Sequence, residues 1–207
     1  MTIKKARFLL SQSKFEAFPR QGLPEIAMAG KSNVGKSSLI NALGHNSKLA
    51  RTSSEPGKTR LINYYLMNEQ FLLVDLPGYG FARAPKGEQE RWAQMIEGYL
   101  CGSAHLRHVF HLVDIRHAPT REDQMMTEYL RHYDIPFTVV ATKADKLSRA
   151  QQNRNIPLIC RTLAVQPWEV MISSAQNSTG LDRLLDRMAE IIAPQEEAES
   201  NINAEIE

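Results

Sequence analysis

Short apolar runs alternate with amphipathic stretches along this chain, a pattern typical of a sheet interleaved with helices. Residues 25–29 form an apolar run that ends at Gly30, and residues 37–43 carry apolar side chains at helical spacing before Gly44. Residues 45–60 are polar and show no period, so they predict a loop long enough to be functional.

Beyond this loop the alternation continues. Residues 61–67 and 70–76 are rich in β-forming side chains, and Asn68 and Glu69 between them predict a hairpin. Further strands are predicted at 109–115, 135–141 and 170–173, and further helices at 92–100, 120–130, 148–163 and 181–192.

Local signals mark the ends of these helices. Thr120 with Asp123 three residues later forms an incomplete capping box at a helix start. Pro157 should break the helix predicted at 148–163, and Pro194 should stop the last helix. On the helix at 92–100, Trp92 belongs to an apolar stripe that predicts a core position.

These elements predict one α/β domain over residues 1–194, with a mostly parallel sheet and helices on both faces. Residues 195–207 hold five Glu and no Lys or Arg, which predicts an acidic, disordered tail. Two cysteines are too few for a disulfide scaffold, and no apolar run approaches the roughly 18 residues that span a bilayer. We therefore expect a cytoplasmic monomer without a membrane anchor.

The net charge of +2 hides an uneven distribution: residues 1–60 contain eleven Lys or Arg and three Asp or Glu. A basic body predicts a polyanionic partner. The alternative is that these bases bind a nucleotide or only keep the protein soluble. The candidates for contact with RNA are Lys4, Lys5, Arg7, Lys14, Arg20, Lys48 and Arg51.

The strongest chemical signal is a phosphate-binding loop at residues 30–37, which matches G-x-x-x-x-G-K-[ST] between a predicted strand and a predicted helix. Its glycines let backbone N–H groups turn towards phosphate oxygens, Lys36 can neutralise the β- and γ-phosphates, and the Ser37 hydroxyl can ligate Mg²⁺. The loop consists of Gly30, Lys31, Ser32, Asn33, Val34, Gly35, Lys36 and Ser37.

Three later motifs select the nucleotide. Residues 75–78 read D-x-x-G, so Asp75 can hold Mg²⁺ through water and the Gly78 N–H can meet the γ-phosphate. Residues 142–145 read T-K-x-D, and the Asp145 carboxylate can accept both N1–H and N2–H of guanine, which adenine cannot match. Residues 173–175 suit a guanine O6 contact. The residues are Asp75, Leu76, Pro77, Gly78, Thr142, Lys143, Ala144, Asp145, Ser173, Ser174 and Ala175.

A GTPase also needs a threonine between its phosphate-binding loop and the D-x-x-G motif, as a second Mg²⁺ ligand. Thr59 is the preferred candidate for this second Mg²⁺ ligand, and Thr52 is the alternative candidate. The alternative is an ordinary surface turn at Pro56 and Gly57.

Residues 30–37, 50–60, 74–81, 114–117 and 142–146 together resemble the bacterial EngB (YihA/YsxC-type) GTPases, among the TrmE-Era-EngA-EngB-septin-like P-loop GTPases. The resemblance implies a three-layer Ras-like fold with one antiparallel strand, and a GTP-dependent role in late assembly of the large (50S) ribosomal subunit, linked to cell division and septation. It also implies Lys36, Thr59 and Gly78 as catalytic groups, and Ser37 and Thr59 as Mg²⁺ ligands. It adds Gly57, Lys58, Thr59, Arg60 and Leu61 to the GTP contacts.

Tyr79 follows the D-x-x-G motif where Ras-like enzymes carry a water-orienting Gln. A phenol in a wet cleft cannot orient water as an amide does, so we expect slow unaided hydrolysis and a missing group from a partner, RNA or a cation. Asn33 could help hold K⁺ for this purpose, or only shape the loop. Equal hydrolysis rates in K⁺ and Na⁺ would exclude the K⁺ role.

Other polar residues carry weaker signals. His108 and His111 lie at odd spacing on a predicted strand, so they point to opposite faces and do not form a metal site together with Cys101 and His105. Asp114, at the end of that strand, is expected to anchor a loop or contact a partner.

Three functions remain open on the sequence. The first is a ribosome-assembly switch that binds rRNA, with no role for DNA. The second is a Ras-like switch that acts on protein partners in cell division without binding ribosomes. The third is an ATP-using P-loop enzyme, which Asp145 disfavours.

Overall fold

A computed structural model describes residues 1–16, 22–50, 61–80 and 86–194. Within these ranges, seven strands form one sheet in the order β1-β3-β4-β2-β5-β6-β7. The strands are β1 (Ala6–Gln12), β2 (Glu25–Gly30), β3 (Ile62–Met67), β4 (Phe71–Asp75), β5 (Leu106–Asp114), β6 (Phe137–Thr142) and β7 (Val170–Ile172). The α-helices are α1 (Lys36–Leu43), α2 (Lys86–Gly102), α3 (Arg121–His132), α4 (Arg149–Leu163) and α5 (Leu181–Ile192).

Strand β3 runs antiparallel to both of its neighbours, β1 and β4, while β2 pairs in parallel with β4 and β5, and β6 in parallel with β5 and β7. The predicted hairpin is confirmed: Asn68 and Glu69 connect β3 to β4 with φ of 51° and 58°. Two successive left-handed residues give the turn a twist that matches the paired strands. The described sheet is thus mostly parallel with one antiparallel strand, as expected.

Helices cover both faces of the sheet, and β5 shows why. Its residues Phe110 and Leu112 pack in the cluster that contains α1 and α5, whereas Val109 packs with α2 and α3 and Val113 with α4. Side chains alternate across a strand, so a continuous apolar run serves both faces at once. The three-layer Ras-like architecture is therefore confirmed.

Strand β1 was not predicted. The start of the chain is basic in sequence, but Ala6–Gln12 pairs with β3 at the edge of the sheet. Lys5 and Arg7 form ion pairs with Glu69 of the hairpin at 3.1 and 3.2 Å. An edge strand is partly exposed and therefore has a weaker apolar pattern than a central strand. The 48% exposure of Phe8 illustrates this.

The predicted break at Pro157 is wrong, because α4 runs from Arg149 through Pro157 to Leu163. An interior proline removes one backbone hydrogen bond and costs about 3 kcal/mol. A complete capping box at Ser148 and the burial of Ile159, Cys160 and Leu163 offset that cost.

The capping box at the start of α3 is complete rather than partial: the Asp123 backbone N–H donates to Thr120 Oγ1, and the Thr120 N–H donates to Asp123 Oδ2. The predicted tail at 195–207 and the side chain of Trp92 lie outside the part of the chain that the structure describes. No helix among the described residues is long and apolar enough to cross a membrane.

Candidate functional site

The predicted motifs meet at one edge of the sheet. Residues 30–37, 75–78, 142–145 and 173–175 follow the carboxyl ends of β2, β4, β6 and β7, all parallel strands, which is where open α/β sheets bind ligands. A cavity of about 610 Å³ opens between three of these segments. It is lined by Gly35, Thr142, Lys143, Asp145, Ser173 and Ala175, together with residues of α1 and α5.

The phosphate-binding loop closes tightly on its neighbours. Gly35 precedes α1 with φ of 108°, a conformation that favours glycine. A Cβ on Gly30 would lie 2.9 Å from the Leu112 carbonyl oxygen, so β5 leaves no room for a side chain there. The loop therefore ends at the N-terminus of α1, where backbone N–H groups and the helix dipole favour an anion.

Lys36 and Asp75 form a buried ion pair across this edge. Lys36 Nζ lies 2.8 Å from Asp75 Oδ1, and the two side chains are 8% and 2% exposed. Within the part of the chain that the structure describes, neither Asp75 Oδ1 nor the buried Ser32 hydroxyl makes a hydrogen bond of good geometry. The site thus keeps a charged lysine and an under-coordinated carboxylate next to the predicted phosphate site.

These residues fit Mg²⁺. Ser37 at the start of α1 and Asp75 at the end of β4 offer oxygen ligands, which Mg²⁺ prefers and which it commonly takes as one or two protein groups plus water and phosphate. No group of three His, Cys, Asp or Glu able to hold a metal occurs among the described residues. This is compatible with a site of the predicted kind, since most of its ligands are hydroxyl, water and phosphate oxygens.

Asp145 is held in place from two sides. Ser174 Oγ donates to Asp145 Oδ1 at 2.6 Å, and Lys146 Nζ lies 3.1 Å from Oδ2. The Ser174 hydrogen bond lowers the pKa of Asp145, the neighbouring lysine adds to that effect, and partial burial opposes it. The carboxyl group is therefore ionised at neutral pH and offers acceptors only, as guanine recognition requires.

The T-K-x-D segment is also tied to the phosphate-binding loop. Thr142 Oγ1 donates to the Val34 carbonyl at 2.6 Å, and Lys143 Nζ donates to the Asn33 carbonyl at 2.6 Å. Asp114 supports this arrangement, because its Oδ2 lies 3.0 Å from Lys143 Nζ. The T-K-x-D segment and the phosphate-binding loop thus form one hydrogen-bonded unit.

Asp114 acts as the loop anchor that the sequence suggested. Its carboxylate also accepts two hydrogen bonds from the Arg116 side chain, at 2.9 and 2.7 Å. Partial burial alone would raise the pKa of Asp114, but the hydrogen bonds from Arg116 and Lys143 outweigh it and lower the pKa to about 2. Asp114 is therefore ionised at neutral pH and holds Lys143 electrostatically.

Gly78 lies against the phosphate-binding loop, since a Cβ there would meet Ser32 Oγ at 2.9 Å and Ser32 N at 3.1 Å. The expectation that the Tyr79 phenol points into a wet cleft is wrong. Its hydroxyl donates to Asp123 Oδ1 at 2.8 Å and lies 2.7 Å from His111 Nε2. Burial, strengthened by the Asp123 charge, raises the pKa of Tyr79 well above its usual value, so the phenol stays protonated.

Several predicted contacts fall outside the described residues, namely Thr52, Gly57, Lys58, Thr59 and Arg60. Leu61, the next residue, is 37% exposed. The partners of Tyr79 were missed as functional candidates. A buried histidine in the apolar strand β5 was the available signal for His111, but sequence spacing alone does not reveal which loop it meets.

Comparison with known proteins identifies the family. The family model described as "50S ribosome-binding GTPase" matches residues 25–143. A protein of Alkaliphilus metalliredigens named "Probable GTP-binding protein EngB" is 46% identical over 197 residues, 95% of each chain. Its Bacillus subtilis counterpart, which carries the same name, is 45% identical over 88% of this chain and 94% of that one.

The chain belongs to the EngB family.

A solved structure titled "Crystal structure of a probable GTP-binding protein engB" agrees, with a TM-score of 0.68 and 29% identity over 81% of this chain and 98% of that one. GTP binding and hydrolysis to GDP and phosphate are the activity of EngB-type GTPases, so the protein is a GTPase. The third function left open by the sequence, an ATP-using enzyme, is thereby set aside.

Two buried histidines of this EngB-family protein should make its stability depend on pH. Burial lowers the pKa of His108 to about 4, aided by Arg187, and burial lowers the pKa of His111 to about 4 against the opposing charge of Asp123. As the pH falls, the histidines of the unfolded chain bind protons before the buried ones do. The contribution of the two neutral histidines to the free energy of unfolding is therefore fully present above about pH 6.5 and is lost as the pH falls towards 4. We expect urea denaturation to report a loss of roughly 2 kcal/mol per histidine between pH 7 and 5.

The variant His108→Gln separates the two contributions. Its free energy of unfolding should fall about half as much over the same pH interval as that of the unaltered protein. An identical pH dependence in both proteins would contradict the assignment.

Proposed function

We propose that this EngB-family GTPase acts as a GTP-dependent switch in late assembly of the large ribosomal subunit, and that this role underlies a requirement in cell division and septation. The observation that carries the proposal is the match of residues 25–143 to the family described as 50S ribosome-binding GTPases. The basic composition of residues 1–60 supports contact with rRNA.

In the proposed nucleotide site, GTP lies along the carboxyl edge of the sheet. Lys36 neutralises the β- and γ-phosphates, the backbone N–H groups of residues 30–37 and of Gly78 surround them, and Asp145 pairs with guanine. Ser173, Ser174 and Ala175 lie beside the base. GTP binding engages Thr59 and Gly78 at the γ-phosphate, and hydrolysis releases these contacts.

Mg²⁺ would be held by Ser37 and Thr59 directly and by Asp75 through water. When bound, Mg²⁺ neutralises charge on the β- and γ-phosphates and supports in-line displacement. The position of Asp75 at the end of β4, beside the lysine of the phosphate-binding loop, supports this role.

Slow intrinsic hydrolysis follows from the hydrogen bonds of Tyr79. Its phenol is engaged by Asp123 and His111, so it does not orient water in place of the usual Gln. A partner, RNA or a cation supplies the missing group. Asn33 is the proposed K⁺ ligand: it is exposed in the phosphate-binding loop, and its side chain would be the ligand because its carbonyl already accepts from Lys143.

The exposed bases near the start of the chain are the proposed rRNA contacts. Lys4 and Lys48 are exposed, whereas Lys5 and Arg7 already pair with Glu69 and Lys14 pairs with Glu16. Lys4 and Lys48 are therefore the first bases to test. Arg20 and Arg51 lie outside the described residues.

Co-sedimentation tests this function. The protein is loaded with a non-hydrolysable GTP analogue or with GDP and centrifuged with large-subunit precursors over a series of salt concentrations. We expect retention with the analogue only, and retention that weakens steeply with salt, because phosphate contacts release counterions. The double variant Lys4→Glu/Lys48→Glu should be retained less than the matched variant Arg183→Glu/Arg187→Glu on α5.

Failure of the analogue-loaded protein to sediment at low salt would overturn the ribosomal role. It would favour the alternative of a Ras-like switch that acts on protein partners in cell division.

A further inference from the structure

Tyr79 joins three parts of the molecule. Its backbone pairs with the phosphate-binding loop: the Ser32 N–H donates to the Tyr79 carbonyl at 3.0 Å, and the Tyr79 N–H donates to the Gly30 carbonyl at 3.4 Å. Its side chain turns the other way, to β5 and α3, through His111 and Asp123. Hydrogen bonds thus hold both the backbone and the side chain of Tyr79, the residue next to Gly78.

The side-chain contacts continue into the first turns of α3. Asp123 accepts from Tyr79 through Oδ1 and from the Thr120 N–H and hydroxyl through Oδ2, at 2.8 and 2.9 Å. Thr127 Oγ1 lies 3.2 Å from His111 Nδ1 and donates to the Asp123 carbonyl. The same carboxylate therefore caps α3 and holds the tyrosine.

The protonation states of this network are defined by its geometry. Tyr79 has one hydroxyl proton and gives it to Asp123, so His111 must donate from Nε2 to the phenol oxygen. His111 is fully buried, and burial keeps it neutral at pH 7. Its Nδ1 is consequently an acceptor, and the single Thr127 hydroxyl proton is shared between this nitrogen and the Asp123 carbonyl.

The environment of the network makes its contacts costly to break. Asp123 and Thr127 are 5% and 1% exposed, and a buried polar group that loses its partner is penalised. Among the described residues, Tyr79 links the neighbourhood of Gly78 to the start of α3 by short hydrogen bonds, and a longer ion pair, Lys31 Nζ to Glu122 Oε2 at 3.8 Å, links the phosphate-binding loop to the same turn. A displacement of Gly78 that carries Tyr79 with it would therefore stretch the phenol contacts or move α3.

We propose that Tyr79 is a positioning residue whose phenol, held by His111 and Asp123, fixes the Gly78 N–H for the γ-phosphate and couples GTP binding to the start of helix α3. The proposal rests on the proposed contact of Gly78 with the γ-phosphate. It assigns to Tyr79 a role in distinguishing GTP from GDP, in place of the water-orienting role that its position in the motif would suggest.

The variant Tyr79→Phe tests this role because it keeps the ring and removes the hydroxyl. We expect calorimetric affinity for a non-hydrolysable GTP analogue to fall about tenfold, which corresponds to about 1.4 kcal/mol, while affinity for GDP changes less than about twofold. Hydrogen exchange in residues 121–128 should slow on binding of the analogue in the unaltered protein and show little such change in the variant.

Tyr99→Phe is the matched control. Tyr99 is a fully buried tyrosine whose hydroxyl, like that of Tyr79, donates to a carboxylate, in this case Glu25 Oε2 at 2.9 Å. Glu25 begins β2 and so lies at the opposite end of that strand. Both variants should lower the melting temperature to a similar degree. Only Tyr79→Phe should change the ratio of GTP to GDP affinity. A change in stability without a change in this ratio would overturn the proposal.

Two further variants keep the result interpretable. Thr127→Val removes the hydroxyl behind His111, and it should lower the affinity ratio in the same direction and add little in the Tyr79→Phe background. If it left the ratio unchanged, the coupling to α3 would be refuted.

Gly78→Ala should abolish the preference for the GTP analogue. If Gly78→Ala changed the ratio of GTP-analogue to GDP affinity and Tyr79→Phe did not, the Tyr79 proposal would fail but the γ-phosphate contact of Gly78 would stand. If Gly78→Ala also left this ratio unchanged, the γ-phosphate contact would fail as well.

Discussion

Asp145→Asn is expected to change the base that this GTPase binds. The carboxylate would be replaced by an amide that has one acceptor and two donor hydrogens, so it no longer matches the two N–H donors of guanine. Xanthine carries a carbonyl in place of the 2-amino group and fits the amide. We expect affinity for GDP to fall about a hundredfold or more and affinity for xanthosine diphosphate to rise.

The surroundings of Asp145 allow this exchange. Ser174 Oγ lies 2.6 Å from Oδ1 and Lys146 Nζ 3.1 Å from Oδ2, so an amide of the same shape keeps at least the hydroxyl contact. Equilibrium titration with the four diphosphates of guanosine, xanthosine, adenosine and inosine measures the change. Lys146→Met serves as the control, because it alters the same pocket without altering the paired group. Unchanged selectivity in Asp145→Asn would refute the guanine contact.

Lys36→Met is expected to destabilise the protein and to abolish nucleotide binding. Asp75 is 2% exposed, and Lys36, with its Nζ 2.8 Å from Asp75 Oδ1, is a cation that compensates this charge. Removal of one partner of a buried ion pair costs about 3 to 5 kcal/mol, since the other charge stays buried. Urea denaturation without nucleotide should record this loss.

The double variant Lys36→Met/Asp75→Asn separates stability from binding. With both charges removed, most of the lost stability should return, but nucleotide affinity should not, because the phosphates still lack their lysine. Lys5→Met is the control for an exposed ion pair and should change stability by about 0.5 kcal/mol or less. If Lys36→Met were as stable as Lys5→Met, the buried pair would have no structural role.

Much of the site was predictable because its motifs encode backbone geometry. A glycine before α1 with φ of 108°, a carboxylate at the end of β4 and another after β6 each follow from short strings in fixed order. Each string stands at the end of a predicted strand, and parallel strands bring such ends to one edge. The sequence therefore sufficed to gather residues from distant parts of the chain.

What the sequence did not reveal depends on contacts across the fold. The direction of Tyr79 is set by His111 on β5 and Asp123 on α3, and no spacing rule links these three residues. Strand β1 exists because β3 offers it an edge. Pro157 is tolerated because α4 buries its last turns. In each case tertiary packing outweighed the local preference.

Co-sedimentation of Asp145→Asn with large-subunit precursors tests the central claim most directly, because it asks whether the nucleotide in this site controls the proposed partner. We expect the unaltered protein to sediment with the precursors when it holds a non-hydrolysable GTP analogue, and the variant to require the xanthosine analogue instead. Two results would contradict the account. In one, the variant sediments to the same extent with the GTP and xanthosine analogues. In the other, it sediments with neither analogue although the unaltered protein does sediment.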